Sequence, residues 1–175
     1  MKPNRARPPL NSDSLRELAL TYVGRFATSR AKLITYLERK LRERGWEADD
    51  PADTAALADR FVALGYIDDA GFAAAKGAAL TRRGYGVRRI DAALREAGIG
   101  DADRVDAQEQ ARSDSWSAAE RFARRKRIGP FGSEPCPPDR RERMIAAFLR
   151  AGHDMATARR WVDASPGQPP DRHDD

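Results

Sequence analysis

The sequence has few of the residues that build disulfides, zinc sites and membrane spans. Cys136 is the only cysteine among 175 residues, so the chain cannot form an intramolecular disulfide or a cysteine-rich zinc site. No stretch approaches the roughly 18 apolar residues of a membrane span, and the N-terminus shows no apolar signal core. We therefore expect a soluble cytoplasmic protein that acts away from membranes.

Residues typical of a catalytic site are also scarce. No Gly-x-x-x-x-Gly-Lys-Ser/Thr phosphate loop occurs. His153 follows a helix-ending glycine at a position suited to packing, and Cys136 lies among prolines without a histidine partner. The pairs Asp49–Asp50 and Asp68–Asp69 suit helix caps better than a metal site. We predict that the protein is not an enzyme and that it needs no metal or cofactor.

What the sequence does contain is a repeated helical pattern. Alanine is the commonest residue, β-branched residues are sparse, and no segment alternates strictly, which together favour an all-helical protein. Three times, an apolar residue is followed four positions later by Leu or Phe and four positions after that by Gly. Residues four apart share one helix face, and glycine is a common helix stop. The three copies, 53 and 54 residues apart, are Leu37/Leu41/Gly45, Ile90/Leu94/Gly98 and Met144/Phe148/Gly152.

A helix that recurs at this period indicates a tandem array of small helical units. We therefore predict an all-α protein of three tandem three-helix repeats, whose short joints favour an elongated, curved array. The predicted boundaries are a disordered leader at 1–12, repeats at 13–66, 67–112 and 113–164, a proline-rich insert at 128–138 within the third repeat, and a disordered tail at 165–175.

Local patterns predict how individual helices begin and how well they pack. Capping boxes, in which a side chain at each end satisfies a backbone N–H, are expected at Ser14 with Glu17 and at Asp139 with Glu142. The third helix of the second repeat, at 101–111, has a small apolar face, so we expect it to be short or loosely packed.

Basic residues outnumber acidic residues by 32 to 27, which favours an anionic partner. In a regular array, equivalent positions fall along one side and would form a basic stripe. Few aromatic residues lie among these cations, which favours contact with a nucleic-acid backbone over base stacking. The alternative is a set of solvated helix faces with neutralising neighbours such as Asp91. The predicted basic stripe comprises Arg82, Arg83, Arg88, Arg89, Arg95, Arg121, Arg124, Arg125 and Lys126.

Three segments resemble the RecX family of recombination regulators. They are Leu-Gly-Tyr-Ile-Asp-Asp-Ala-Gly-Phe-Ala at 64–73, Arg-Arg-Gly-Tyr-Gly-Val-Arg-Arg-Ile at 82–90 and Leu-Arg-Glu-Ala-Gly-Ile at 94–99. The resemblance, over about residues 15–163, implies a right-handed array that binds the RecA recombinase and its filament on single- or double-stranded DNA. It also implies modulation of RecA, usually by inhibition, without catalytic chemistry, and we expect a monomer. The insert at 128–138 departs from the family pattern.

The first of these segments is interpreted as the joint between the first and second repeats. A glycine ends one helix, the two residues after it insert into the joint, one of two aspartates caps the next helix, and a phenylalanine anchors it. The alternative is that an aspartate contacts a basic surface of a partner. The predicted joint residues are Gly65, Tyr66, Ile67, Asp68, Asp69 and Phe72.

Two other classes of function are consistent with the residues. A DNA-binding protein built of helix-turn-helix-like triplets would need a recognition helix that presents Asn, Gln or Arg to base edges. Gln108 and Gln110 are the only glutamines in a predicted helix, and neither lies in the repeated helix. A generic helical-repeat scaffold would instead bind an acidic protein.

Overall fold

The computed structural model describes residues 8–172, and within this range the chain is helical. Its only β-type pairing there is an isolated bridge between Leu10 and Trp46. No helix of the described range is long and apolar enough to cross a membrane. The helices are α1 (Ser12–Arg25), α2 (Arg30–Arg44), α3 (Thr54–Ala63), α4 (Asp69–Arg82), α5 (Val87–Glu96), α6 (Asp101–Ser113), α7 (Ser115–Lys126), α8 (Pro138–Arg150) and α9 (Met155–Asp163), with a short 3-10 turn at Gly129–Phe131.

The chain divides into two compact units. The N-terminal unit extends to Phe72 and includes the short segment Ala97–Ile99, whereas the C-terminal unit holds Ala73–Glu96 and the chain from Gly100 onward. One boundary therefore falls inside α4 and another just after α5. The division into three three-helix repeats stays a prediction.

The core of the N-terminal unit includes a residue that the sequence predicts to be disordered. Leu10 is fully buried, its N–H donates to the Gly45 carbonyl at 2.9 Å, and its carbonyl accepts from the N–H of Glu47 at 2.9 Å. The predicted leader at 1–12 is therefore wrong at its C-terminal end, because an apolar side chain there completes the core. Residues 1–7 lie outside the described residues. The buried core residues of this unit are Leu10, Leu15, Ala19, Leu33, Leu37, Ala58, Phe61 and Ile67.

Two of the predicted helix starts are corrected by the structure. At α1 the capping box joins Asn11 to Ser14, with the Ser14 N–H donating to Asn11 Oδ1 at 3.0 Å, so the box of Ser14 with Glu17 is wrong. At α8 the helix begins with Pro138 and has no side-chain cap, so the box predicted at 139–142 is wrong as well. Proline suits the first helical position because its φ is already helical and the N–H that it lacks would have no helical partner.

The repeated glycines end their helices as predicted. Gly45, Gly98 and Gly152 have φ values of +82°, +72° and +94°, a conformation that glycine adopts without steric cost. In the third copy of the pattern, the buried apolar residue lies one position later than predicted. Ile145 of α8 is buried, whereas Met144 is only half-buried.

Part of the proline-rich insert is buried in the core of the C-terminal unit. Ile128, Gly129 and Pro130 are buried, and the carbonyl of Pro130 accepts from the N–H of Gly167 at 2.9 Å. The predicted disordered tail at 165–175 is therefore wrong at its start, and residues 173–175 lie outside the described residues. The buried core residues of this unit are Ala119, Phe122, Ala123, Ile128, Ile145, Phe148, Ala151, Ala158, Trp161 and Val162.

The helix predicted to be short or loosely packed, α6, is neither. It spans 13 residues, and its buried Ala107 faces Gly77 of α4, where a Cβ would lie in ordinary contact with the alanine methyl at 3.5 Å. Small residues on both sides allow two backbones to approach, which replaces the large apolar face that the prediction required. Arg104 is 7% exposed and pairs with Asp91 of α5 at 3.3 Å, fixing α6 against α5.

Candidate anion-binding groove

All nine residues of the predicted basic stripe lie in the C-terminal unit and are exposed. The fold brings three of them, Arg83, Arg125 and Lys126, together around a groove of about 550 Å³. Arg150, at the end of α8, joins them there. The predicted stripe omits Arg150, which lies on α8, away in sequence from the other two segments.

The floor of the groove is apolar. Tyr85, Phe122, Ala147 and Ala151 line it, and they come from the loop after α4, from α7, and from the end of α8 and the residue after it. Phe122 is 4% exposed and packs edge-on against Phe148 at 4.7 Å between ring centroids, so it belongs to the core. The groove therefore lies over the edge of the core, between basic side chains.

Aromatic rings hold two of the guanidinium groups in place. The Arg83 guanidinium lies 5.5 Å from the ring centroid of Tyr85, and that of Arg125 lies 5.8 Å from the same centroid. Arg125 also lies 5.4 Å from the centroid of Phe122 and donates to the Arg83 carbonyl. Cations over aromatic faces are attracted by the ring quadrupole, so these side chains are partly ordered before any ligand binds.

The groove carries a strong positive charge. Four cations line it, and no aspartate or glutamate does so within residues 8–172. The C-terminal ends of α4, α7 and α8 lie nearby, but each contributes only about half a negative elementary charge. The excess therefore stays positive and favours an anionic ligand.

The remaining stripe residues do not converge on this groove. Arg95 pairs with Asp91 at 2.8 Å, and Arg124 pairs with Glu120 at 2.9 Å, the arrangement expected of solvated helix faces. Arg88 lines a separate cavity of about 310 Å³, whose other lining residues include Arg112 and His153.

Arg121, Arg82 and Arg89 complete the predicted stripe. Arg121 donates to the Thr81 carbonyl at 3.4 Å. Arg82 and Arg89 are exposed and line neither cavity. The stripe is thus a set of exposed cations of which one part forms a groove.

Of the two predicted joint residues that follow Gly65, Ile67 is buried and Tyr66 is exposed. Gly65 ends its segment with a φ of +74°, and Ile67 is buried in the core. Tyr66 is 53% exposed and does not insert, because its ring packs on the outside of Phe61 at 5.4 Å.

The two joint aspartates and Phe72 serve the backbone and the packing of the N-terminal unit. Asp68 accepts from the Gly71 N–H at 2.8 Å and so caps α4. Asp69 accepts from the Arg30 N–H at 2.9 Å at the start of α2. Phe72 is half-buried, and the Lys32 ammonium lies 4.9 Å from its ring centroid. Both aspartates therefore make contacts within the chain.

Two residues that the sequence analysis rejected as catalytic have shifted pKa values. His153 is buried, and its Nε2–H donates to the Gly84 carbonyl at 3.1 Å. Burial lowers the pKa of this imidazole, although the hydrogen bond to Gly84 acts in the opposite direction. Burial also raises the pKa of the Cys136 thiol, which disfavours its reactive thiolate. Among the described residues, no cluster of His, Cys, Asp and Glu could hold a metal ion.

The helical glutamines are also used internally. Gln108 donates to Asp91 at 2.6 Å, and Gln110 donates to Asp114 at 2.8 Å. Side chains held in this way are not presented to base edges. The recognition-helix interpretation therefore finds no support in these two residues.

Comparison with proteins of known structure identifies the fold. A crystal structure of a regulatory protein RecX matches with a TM-score of 0.63 and 20% identity, over 83% of this chain and 68% of that one. The crystal structure of RecX from Lactobacillus salivarius matches with a TM-score of 0.61 and 18% identity, over 83% of this chain and 90% of that one. The chain is thus an all-helical protein with the fold of RecX structures.

Sequence similarity extends this result from fold to family. The chain is 30% identical over 162 residues to the regulatory protein RecX of Myxococcus xanthus, a match that covers 87% of this chain and 86% of that protein. No family model matches the chain. The chain belongs to the RecX family of regulatory proteins, as the three resembling segments predicted.

Proposed function

We propose that this protein binds the RecA recombinase filament on DNA and modulates it, mainly by inhibiting ATP hydrolysis and strand exchange, in the regulation of DNA repair and recombination. The observation that carries the proposal is the match along nearly the whole chain to a protein named regulatory protein RecX. Since both chains are covered almost completely, the relationship concerns the whole protein rather than one shared segment.

The surface of the C-terminal unit supports binding to an anionic polymer. Arg82 at the end of α4 and Arg88 and Arg89 in the first turn of α5 are exposed. They suit contacts with phosphates, which give affinity without sequence specificity. Several weak contacts along a helical polymer add through effective concentration, so a small protein with dispersed cations can bind a filament tightly. The protein would then act as a monomer in the cytoplasm by binding alone, without catalysis.

Inhibition has two physical routes. A protein that lies along the filament can block the access of a second DNA, which stops strand exchange. It can also hinder the movements of neighbouring RecA subunits that ATP turnover requires. The first route affects strand exchange more than ATP hydrolysis, whereas the second affects both together.

The test is RecA ATP hydrolysis on single-stranded DNA with this protein titrated in, followed by strand exchange under the same conditions. We expect both rates to fall at substoichiometric amounts of the protein. Unchanged turnover at a large molar excess of protein that circular dichroism shows to be helical would contradict the proposal.

A second candidate is non-specific DNA binding without a protein partner, favoured by the same exposed arginines. A third is a helical scaffold for an acidic protein, favoured by the charge of the groove. Pull-down from a cytoplasmic extract with and without nuclease separates them. RecA retained after nuclease treatment supports the filament proposal, whereas loss of every captured protein supports simple DNA binding.

A further inference from the structure

We propose that the groove of Arg83, Arg125, Lys126 and Arg150 binds an acidic peptide segment of a protein partner. An aliphatic side chain of that segment would lie on Ala147 and Ala151, and its carboxylates would pair with the surrounding cations. The inference rests on the proposed function in taking a protein as partner, and it adds the chemistry by which that partner is recognised.

The charges of the groove suit carboxylates. Three of its four cations are arginines, whose planar guanidinium can bind a carboxylate through two parallel hydrogen bonds. These arginines come from the loop after α4, from α7 and from α8, so they approach a ligand from different directions. No carboxylate of the described chain lines the groove and competes for them.

The floor distinguishes a peptide from a nucleic-acid backbone. Ala147 and Ala151 are small, so they leave space beside the rings of Tyr85 and Phe122. An aliphatic side chain gains free energy by covering such a surface, because apolar area leaves water. A sugar–phosphate chain offers no comparable apolar group.

The aromatic rings also disfavour nucleobases as occupants. Single-stranded nucleic acids use exposed aromatic faces, on which successive bases stack. Here the guanidinium groups of Arg83 and Arg125 already lie over Tyr85, and Phe122 is almost completely buried. A base would have to displace an arginine before it could stack.

The size and order of the groove fit a short peptide segment. A volume of about 550 Å³ exceeds one side chain and lies within the roughly 300–1,000 Å³ typical of ligand pockets. The hydrogen bond from Arg125 to the Arg83 carbonyl limits the freedom of both segments. Less side-chain freedom therefore has to be given up on binding than with free surface arginines.

The experiment measures fluorescence anisotropy of a short labelled peptide in which glutamates alternate with leucines, mixed with the full-length protein. A second peptide of equal charge has serine in place of leucine. We expect the leucine peptide to bind at least about tenfold more tightly than the serine peptide. Equal affinity of the two peptides would overturn the proposal, because the floor would then contribute nothing.

Two protein variants locate the binding site. Ala147→Leu fills the floor, and Arg150→Glu reverses an exposed charge at its rim. Each should weaken binding of the leucine peptide by about tenfold or more. Their matched controls are Ala146→Leu, the adjacent half-buried alanine of α8, and Arg159→Glu, an exposed arginine of α9. If the controls weaken binding as much, the peptide binds by bulk charge and the groove is not its site.

Two alternative explanations, a nucleic acid as the ligand of the groove and misfolding of a variant, are tested separately. The proposal is wrong if a single-stranded oligonucleotide displaces the peptide and Ala147→Leu weakens binding of the oligonucleotide as much as binding of the peptide. The groove would then be a nucleic-acid site. Circular dichroism and denaturant unfolding check that Ala147→Leu folds, and Arg150→Glu remains decisive if it does not. Peptide binding without any effect on RecA would refute only the proposed function, and inhibition of RecA without peptide binding would refute only this inference.

Discussion

The backbones of Gly86 and Gly152 lie in direct contact inside the C-terminal unit. The Gly86 N–H donates to the Ala151 carbonyl at 2.8 Å, and the N–H of Arg88 donates to the Gly152 carbonyl at 3.2 Å. A Cβ on Gly86 would collide with the Gly152 carbonyl, and one on Gly152 would collide with the Arg89 backbone. The last glycine of the repeated pattern therefore ends α8 and also joins it to the start of α5.

Adding a methyl group at either glycine should destabilise the fold. Gly86→Ala is expected to cost about 1–3 kcal/mol through overpacking. Gly152→Ala should cost more, because its φ of +94° adds strain of about 1–2 kcal/mol to a similar collision. The measurement is the free energy of unfolding from denaturant titration.

Gly24→Ala is the matched control for these two variants. Gly24 lies within α1, and a Cβ there would have no atom within 4 Å. Alanine in such a helical position should be neutral or stabilising by up to about 1 kcal/mol. Losses at Gly86 and Gly152 no larger than the change at Gly24 would show that the close backbone approach is absent in solution.

Leu94 tests whether the apolar residues of the repeated helical pattern face a core. Its side chain is fully buried in α5, so Leu94→Ala should lower the free energy of unfolding by about 2–5 kcal/mol through reduced burial and a residual cavity. Leu64→Ala is the comparison, because Leu64 is 56% exposed and its truncation should change stability by no more than about 0.5 kcal/mol. Equal effects of the two truncations would contradict the burial of the apolar residues in this pattern.

His153 should make the stability fall below neutral pH. Its folded pKa lies below the ordinary value of 6.5, mainly because burial disfavours the charged imidazole. Above pH 6.5 the ring is neutral in both states and contributes no pH dependence. Below it, the unfolded state binds the proton first, so the free energy of unfolding falls until the folded pKa is reached, by at most about 1.4 kcal/mol per pH unit.

The measurement compares denaturant unfolding at about pH 7.5 and pH 5 for the natural protein and for His153→Gln, which keeps a donor and cannot titrate. We expect the variant to lose less stability across this interval. The pKa of neighbouring Asp154 is also shifted: burial would raise it, but hydrogen bonds from Thr157 lower it below its ordinary 3.8. Its titration therefore lies below the interval, and an identical loss in both proteins would exclude His153 as the cause.

Exposed arginines at the start of α5 should contribute to filament binding through charge. Arg88→Glu with Arg89→Glu is expected to change stability by no more than about 0.5 kcal/mol, because both side chains are exposed. Binding to RecA–DNA filaments should weaken, and the salt dependence should flatten by about one unit of slope for each phosphate that is no longer neutralised. Arg95 is left unchanged because its ion pair with Asp91 would be replaced by repulsion.

The control for this pair is Arg16→Glu with Arg42→Glu, which changes net charge equally at exposed positions of α1 and α2. Filament binding is measured by co-sedimentation over a range of salt concentrations. Equal weakening by both double variants would mean that only the total charge matters. Unchanged binding in both would mean that other residues hold the partner.

Features that depend on neighbouring residues along the chain could be predicted from the sequence. The all-helical fold and the three helix-ending glycines follow from helix periodicity and from the backbone freedom of glycine. Errors arise where two local solutions compete. The spacing favours Ser14 as the first helix cap, but Asn11 is an equally good cap three residues earlier and allows Leu10 to enter the core.

Packing decided what local patterns could not show. The small apolar face of α6 gave no sign of its packing, because Gly77, which faces Ala107, lies 30 residues earlier in the chain.

The sequence by itself determined the helical class, the glycines that end the repeated helices and the family, because these depend on local spacing and on residues that resemble a known pattern. The tertiary structure alone decided which cations meet. Arg83, Arg125 and Arg150 lie on three segments that no periodicity connects, and they converge because the core around Phe122 packs those segments together. The pair of Arg95 with Asp91, by contrast, follows from local spacing, since the two residues lie one turn apart on α5. The charge of each side chain follows from the sequence, but the electrostatic potential at the surface depends on the distances between charges, which packing determines.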